Sequence, residues 1–368
     1  MMKLPFVLLF TAMTALFWGV YGILLHKGTE QLGHSSLRAF VGVGIAYFLI
    51  AVLVPLGLLS KKPEKGYWSM SGTLLSLFAG AVGALGALGV ILAVAFKGQP
   101  VYVMPIVFGG APVVNTLVTS WLNKSFSQIK PLFVFGLILV ALGAVGVLSF
   151  KPVPPSKSVV VKTESSATDE NRSAHASPVA ADPVAIGASI CLAVVCWGAY
   201  GPFLHMGQMK MGGSRLRPFC CVGIAYFVIA VAVPSMILMA TPGNVALSWS
   251  KIGGGMMWSI LAGSAGAIGA LGIILAFNYG GKPIFVMPLV FGFAPVINTL
   301  TSMVLAGSLD KISPYFIGSL LFGIAGAVTV LVFAPKAKPH GAAAAETKSV
   351  PIAQTAVPAS ISSGDVSS

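Results

Sequence analysis

One block of sequence occurs twice in this chain, and this duplication limits the fold more than any other feature. Residues 17–55 recur with few changes at 196–234, and residues 103–117 recur at 286–300. The separation between copies grows from 179 residues in the first block to 183 in the second, so four residues are inserted between the blocks. The chain is therefore one structural unit used twice.

Composition places this unit in a membrane. Hydrophobic residues make up 56% of the 368 residues, charged residues only 8%, and the mean hydropathy is +0.92. Too few polar side chains remain to cover a soluble globule of this size. Ten apolar stretches have about the 20-residue length that a helix needs to cross a bilayer, and five of them fall in each copy. The stretches lie near 5–25, 39–59, 72–96, 101–122, 131–150, 183–204, 218–240, 255–278, 284–306 and 314–334.

The sequence thus predicts an all-α polytopic membrane protein with ten transmembrane helices. Because each copy has an odd number of helices, the second copy enters the membrane from the opposite side, which gives two inverted five-helix repeats. The loop after the second helix carries Lys61, Lys62 and Lys65, whereas the equivalent segment 240–250 has no basic residue. The positive-inside rule then predicts a plasma (cytoplasmic) membrane protein with both termini in the cytoplasm.

The predicted organisation has four parts, with repeats at 1–150 and 183–335. The segments 151–182 and 336–368 are rich in Pro, Ser, Ala and charge, which predicts a disordered linker and a disordered cytoplasmic tail. The +13 formal charge belongs to the topology signal and these tails, so the expected partner is the lipid bilayer and not a nucleic acid. The four cysteines are interpreted as apolar packing residues of the sixth and seventh helices.

Glycines recur at every third position in the third and eighth helices, and they predict close packing against neighbouring helices. They are Gly80, Gly83, Gly86, Gly89, Gly263, Gly266, Gly269 and Gly272. A direct substrate contact is the alternative interpretation of these glycines. A smooth glycine surface would also allow one helix to slide along another.

Prolines near the start and the centre of the fourth and ninth helices predict helix breaks. They are Pro105, Pro112, Pro288 and Pro295. Interrupted helices at corresponding positions of inverted halves indicate a binding site near the middle of the bilayer. Asn115 and Asn298 lie one turn beyond, where an unsatisfied amide is costly. Each amide is expected to bond back to its own broken helix or to face a cavity.

Aromatic residues are also paired across the two copies. The candidates for the walls of a substrate pocket are Trp18, Tyr21, Tyr47, Trp197, Tyr200 and Tyr226. An indole or phenol at this depth usually needs a partner for its polar atom. Packing between helices is the alternative role for all six.

Acidic residues are absent from the predicted membrane interior, because all nine fall in loops, tails or helix ends. Coupling through a membrane carboxylate is therefore not expected. His26 and His205 end the first and sixth helices, and they are the candidates for proton coupling or else interfacial caps. We find no arrangement of residues that predicts a metal site, a cofactor or an enzyme active site.

The two five-helix repeats, the Trp-Gly element in the first helix of each repeat (Trp18–Gly19 and Trp197–Gly198) and the Gly/Pro-rich third and fourth helices resemble the EamA-type permeases of the drug/metabolite transporter superfamily. This resemblance covers residues 5–150 and 183–335. It implies a secondary transporter whose central cavity is lined by helices 1 to 4 and 6 to 9. The intramembrane glutamate of the small multidrug-resistance relatives has no counterpart here.

The expected function is transport of a small neutral or zwitterionic metabolite, such as a sugar or amino acid, by alternating access. The substrate would be a small molecule held by the paired aromatic and amide side chains. The alternative is a membrane scaffold or receptor that transports nothing. Glycines in the fifth and tenth helices permit a homodimer without requiring one.

Overall fold

The computed structural model describes residues 2–33, 35–61, 64–96, 100–150, 182–240, 249–305 and 312–333. Within these ranges the chain is helical and contains no strand. The helices belong to one compact unit, Met1–Pro335. The linker predicted at 151–182 lies outside the described residues except for Asp182, and the tail predicted at 336–368 lies wholly outside them.

Each of the ten apolar stretches forms a helix, which we number α1 to α10 in chain order. Their bounds are Leu4–Gln31, Ser36–Lys61, Met70–Ala95, Pro100–Leu122, Pro131–Ser149, Pro183–Lys210, Leu216–Ala240, Trp249–Asn278, Pro283–Leu305 and Pro314–Phe333. Over the described residues, seven are long and apolar enough to cross a membrane, namely α1, α2, α3, α6, α7, α8 and α9. The chain is therefore an all-α, multi-pass membrane protein.

The backbone remains helical across Pro105, Pro112, Pro288 and Pro295, so the predicted breaks in α4 and α9 are not formed. A proline removes only one backbone donor, and neighbouring helices can hold the turns on either side of it in place. The irregularities lie elsewhere. α2 and α7 each contain one π-helical turn, at Leu49–Leu53 and Val228–Ala232.

Both π turns precede a proline. The N–H of Val54 donates to the carbonyl of Leu49, five residues back, immediately before Pro55. The equivalent turn in α7 precedes Pro234 in the same way. Such turns widen a helix locally and are frequent at functional sites. The sequence did not predict them.

Helices of one half pack mainly on helices of the other. α1 lies against α8 and α9, α6 lies against α3 and α4, and α5 lies against α10. α2 and α7 meet each other between these groups. The two copies therefore form a single interleaved core.

Loops from both halves meet at one end of the bundle. The N–H of Lys3 donates to the carbonyl of Tyr279 at 3.0 Å, and Ser69 Oγ donates to the carbonyl of Lys210 at 2.8 Å. We call this the basic end, because it carries Lys3, Lys65, Lys210, Arg215 and Lys282. At the opposite end, the ammonium of Lys27 lies 4.8 Å from the centre of the Trp258 ring.

Candidate functional site

Two equivalent tryptophans connect the halves of the molecule. Trp18 Nε1 donates to the carbonyl of Gly266 at 3.1 Å, and Trp197 Nε1 donates to the carbonyl of Gly83 at 3.2 Å. The sequence repeat relates these two bonds, because Trp197 is the copy of Trp18 and Gly266 is the copy of Gly83. Each indole thus finds a polar partner on a helix of the other half.

The recurring glycines provide the surface on which these tryptophans lie. A Cβ at Gly86 would overlap the Trp197 ring, and one at Gly269 would overlap the Trp18 ring. A Cβ at Gly80 would lie 2.7 Å from the Cα of Val222. The prediction that these glycines serve close helix packing is confirmed.

We expect Trp18→Phe and Trp197→Phe to destabilise the protein by similar amounts, about 0.6–1.7 kcal/mol each, the range of interhelical hydrogen bonds in membranes. Each variant loses one indole hydrogen bond and keeps an aromatic ring in place. Unfolding by SDS in mixed micelles measures the effect. The control is Trp121→Phe, because Trp121 is 65% exposed and its replacement should change little. A loss of stability for only one of Trp18→Phe and Trp197→Phe would contradict the equivalence of the two contacts.

Tyr47 and Tyr226 form a parallel stack between α2 and α7, which we call the tyrosine pair. Their ring centres are 3.8 Å apart and their planes differ by 2°. The next residues, Phe48 and Phe227, also meet, with ring centres 4.7 Å apart. Each of these residues therefore packs against the residue that the sequence repeat makes its equivalent.

Five rings form a central group, the aromatic cluster, which consists of Trp18, Phe108, Trp197, Tyr200 and Phe291. Ring centres of Trp18 lie 6.2 Å from Tyr200 and 6.3 Å from Phe291. Phe291 lies 6.5 Å from Trp197 and 6.2 Å from Phe108. Phe108 lies 6.1 Å from Trp197. Three of these rings were predicted site residues, and the structure brings them together.

The sequence reasoning missed Phe108 and Phe291. They are copies of one another and lie four residues before Pro112 and Pro295. The sequence did offer one indication of them, because a phenylalanine occupies the same position in both proline-containing helices. Tyr21, the copy of Tyr200, packs against the same core but is only partly buried.

The two asparagines each lie next to a helix of the other half. Asn115 is fully buried and its Nδ2 donates to the carbonyl of Pro283 at 2.9 Å. The expectation that it bonds back to its own helix is therefore wrong for this residue, because its partner is the first turn of α9. Its Oδ1 has no hydrogen-bond partner among the described residues. Asn298 is partly buried and its amide approaches Gly22 of α1.

The paired histidines have different surroundings. His26 is exposed, whereas the His205 ring packs edge-on against Phe277 with ring centres 5.0 Å apart. Its Nδ1 is buried and has no partner within the described part of the chain. His26 and His205 are thus equivalent in sequence and not in environment.

The halves also differ in burial at some equivalent positions of α1 and α6 and of α4 and α9. Tyr200 and Leu204 are 3% and 0% exposed, whereas their copies Tyr21 and Leu25 are partly buried. Leu289 is 6% exposed and its copy Ile106 is 50% exposed. The more buried residues lie in the halves of α6 and α9 next to the basic end. The difference is local to these parts of α6 and α9, because Leu32 and its copy Met211, at the two ends of the bundle, are 1% and 0% exposed.

Two charged groups at the basic end are partly removed from solvent. Burial lowers the pKa of Lys282 below its ordinary value of 10.5. Burial acts to raise the pKa of Glu64, but hydrogen bonds from Arg215, Leu216 and Ser214 outweigh it and hold the pKa below 4.5. Among the described residues, no group of three or more His, Cys, Asp or Glu side chains could hold a metal ion.

An apolar groove of about 310 Å³ lies between α1 and α9. Its lining residues are Leu8, Thr11, Ala12, Ala15, Leu289, Phe293 and Ile297. None of the predicted site residues lines it. The hydroxyl of Thr11 donates to the carbonyl of Val7 at 2.7 Å, so the groove offers a ligand little polar contact.

Comparison with known proteins relates this chain to others by fold. No protein-family model matches the sequence, and no curated protein matches it. Chains of solved structures do match, and one of them is described only as a crystal structure of a protein. It has a TM-score of 0.58 at 15% sequence identity, over 89% of this chain and 97% of its own. The similarity establishes a shared fold.

Proposed function

We propose that this protein is a secondary transporter that moves a small neutral or zwitterionic metabolite by alternating access. The observation that carries the proposal is a pair of equivalent contacts between the halves combined with unequal burial. Each tryptophan lies on the glycines of the other half, yet Tyr200, Leu204 and Leu289, next to the basic end, are more buried than their copies. Exchanging the arrangement of the two halves would close the opposite end instead. This exchange is the motion that alternating access requires.

In this proposal the ten helices are ten membrane spans in two inverted five-helix repeats, as in the EamA-type permeases of the drug/metabolite transporter superfamily. Both termini lie in the cytoplasm, and the basic end faces the cytoplasm because basic loops are retained on that side. The structure is then the conformation closed to the cytoplasm.

The proposed substrate class follows from the side chains at the centre. The aromatic cluster and the tyrosine pair offer ring faces and hydroxyl groups, and Asn115 and Asn298 offer amides. Tyr200 OH and Asn115 Oδ1 are buried without hydrogen-bond partners among the described residues. These groups suit a sugar or an amino acid better than a multiply charged substrate.

A non-transporting scaffold or receptor is the second candidate. The observation that favours it is the direct packing of the aromatic cluster on itself. Uptake into proteoliposomes distinguishes the candidates. Saturable flux of one compound from a panel of sugars, amino acids and aromatic metabolites supports a transporter. An absence of flux from folded protein across the panel supports the scaffold. Running the panel with and without a pH gradient tests proton coupling through His26 or His205.

We expect the double variant Asn115→Ala/Asn298→Ala to lower flux by about tenfold or more, because losing polar contacts of about 1.5 kcal/mol changes a rate or affinity by that factor. Membrane insertion should change less. Flux per inserted molecule measures the effect. The matched control is Asn123→Ala, whose amide lies exposed in the loop after α4. Equal flux for wild type and the double variant would contradict a role for these amides in the site.

A further inference from the structure

The loop between α2 and α3 crosses to the other half of the molecule at the basic end. The Glu64 carboxylate accepts hydrogen bonds from Ser214 Oγ at 2.8 Å, from Arg215 N and Nε at 2.9 Å each, and from Leu216 N at 3.1 Å. Arg217 Nη1 is 3.9 Å away and adds a second positive charge. The Glu64 side chain is only 8% exposed. A single carboxylate thus holds the start of α7.

Neighbouring contacts join the same two loops. The N–H of Tyr67 donates to the carbonyl of Met211 at 3.2 Å. Gly66 has a φ of 107°, a conformation that other residues rarely adopt, and it lies directly against Met211. Asn278 Nδ2 donates to the carbonyl of Gly213 at 2.8 Å, which brings the end of α8 to the same place. These contacts close the basic end from three sides.

The other half of the chain has no acidic residue with which to build such a contact. The segment equivalent to the Glu64 loop is 240–250, and it contains neither Asp nor Glu. The cap that Ser214 forms with the N–H of Arg217 does have an equivalent, because Ser35 Oγ accepts from the N–H of Arg38. The serine cap is therefore common to both halves, whereas the carboxylate belongs to one.

We propose that Glu64 is a one-sided latch that holds the basic end closed and so favours the conformation open at the opposite end. The proposal rests on the alternating-access function proposed above and adds its regulation. If the two halves had identical contacts, the conformation open at the basic end and the conformation open at the opposite end would have similar free energies. The latch adds charge-assisted bonds to one end state only, and an interaction made in one state shifts the population towards it.

The latch is charged under ordinary conditions. Because the pKa of Glu64 is held below 4.5, the carboxylate keeps its bonds above that pH. It loses them only as the pH falls through the lowered pKa. Arg215 and Arg217 face it from the start of α7. Opening at neutral pH must therefore break the bonds with the charges in place.

The test uses thiol labelling of full-length protein in nanodiscs, where reagents reach both faces. The native cysteines Cys191, Cys196, Cys220 and Cys221 are replaced by alanine. A single reporter cysteine is placed at Leu204, which is 0% exposed near the basic end. We expect Glu64→Gln to raise the rate of maleimide labelling about tenfold, the population shift from losing one charge-assisted bond. The control Glu30→Gln removes an acid at the opposite end and should leave the rate unchanged.

Arg215→Gln provides a second variant that keeps Glu64 and removes one of its side-chain partners, the Arg215 guanidinium. An intermediate rise in labelling is expected, and a monodisperse elution profile verifies that each variant is folded. Unchanged labelling in both folded variants would overturn the latch. A reporter at Leu25, the copy of Leu204, tests the transport mechanism separately. Faster labelling at Leu204 with slower labelling at Leu25 supports both proposals, whereas a rise at Leu204 alone supports the latch and contradicts alternating access.

Discussion

Alanine at Gly86 is expected to lower the free energy of unfolding by about 1–3 kcal/mol, the usual cost of adding a methyl group to a filled core. The new Cβ would overlap the Trp197 ring. That ring cannot move aside freely, because its Nε1 is hydrogen-bonded to Gly83. Gly269→Ala should have a similar cost, since Gly269 meets Trp18 in the same way. Unfolding in mixed micelles measures both variants.

Gly187→Ala and Gly318→Ala are the matched controls for this prediction. Both glycines lie in helices, and no atom lies within 4 Å of the place where a Cβ would be built. Alanine there should raise stability by about 0.5–1 kcal/mol, because it restricts the unfolded chain and favours the helix. The sign of the effect should therefore differ between the two groups of glycines. Loss of stability at all four positions would show that the tryptophan contacts are not the cause.

Phe291→Ala is expected to cost about 3–5 kcal/mol, which is typical for removing a fully buried phenyl ring. Phe291 is 1% exposed and contacts Trp18, Trp197 and Phe108. The variant should therefore loosen the aromatic cluster at its most connected member. Thermal unfolding and SDS titration both measure the change.

Phe108→Ala is the control that the repeat itself supplies, because Phe108 is the copy of Phe291. It is only partly buried, so we expect its loss to cost about 1–3 kcal/mol. The difference between the two variants measures how unequally the halves are packed. Equal costs would contradict the assignment of a closed basic end. A compound that closes the opposite end should reverse the order of the two costs.

The features predictable from sequence were those encoded by composition and periodicity. The helices follow from continuous apolar runs, and the close packing on the recurring glycines follows from their regular spacing. The effect of each proline on its helix could not be predicted in this way. Pro112 and Pro295 lie in continuous helices, whereas Pro55 and Pro234 follow π turns. Whether a helix stays regular at a proline depends on how neighbouring helices hold the adjacent turns. The local sequence does not contain that information.

Hydrogen bonds between residues far apart in the chain also could not be predicted from the sequence. The bond from Asn115 to the carbonyl of Pro283 joins residues 168 positions apart. The Glu64 contacts join the first half of the chain to the second in the same way. Sequence symmetry was also misleading for His26 and His205. A repeat makes two positions equivalent in the chain, but a single conformation places them in different surroundings.

The tyrosine pair is a contact between two residues that occupy equivalent positions in the two copies of the repeat. Phe48 and Phe227 meet in the same way, whereas the hydrogen bonds of Trp18 and Trp197 are two separate copies of one contact. If the halves exchange their arrangements as proposed for transport, the contact between Tyr47 and Tyr226 is converted into the same contact. On the proposed mechanism the stack would gain and lose nothing in the exchange. It would then stabilise the bundle without favouring a conformation open to either side of the membrane.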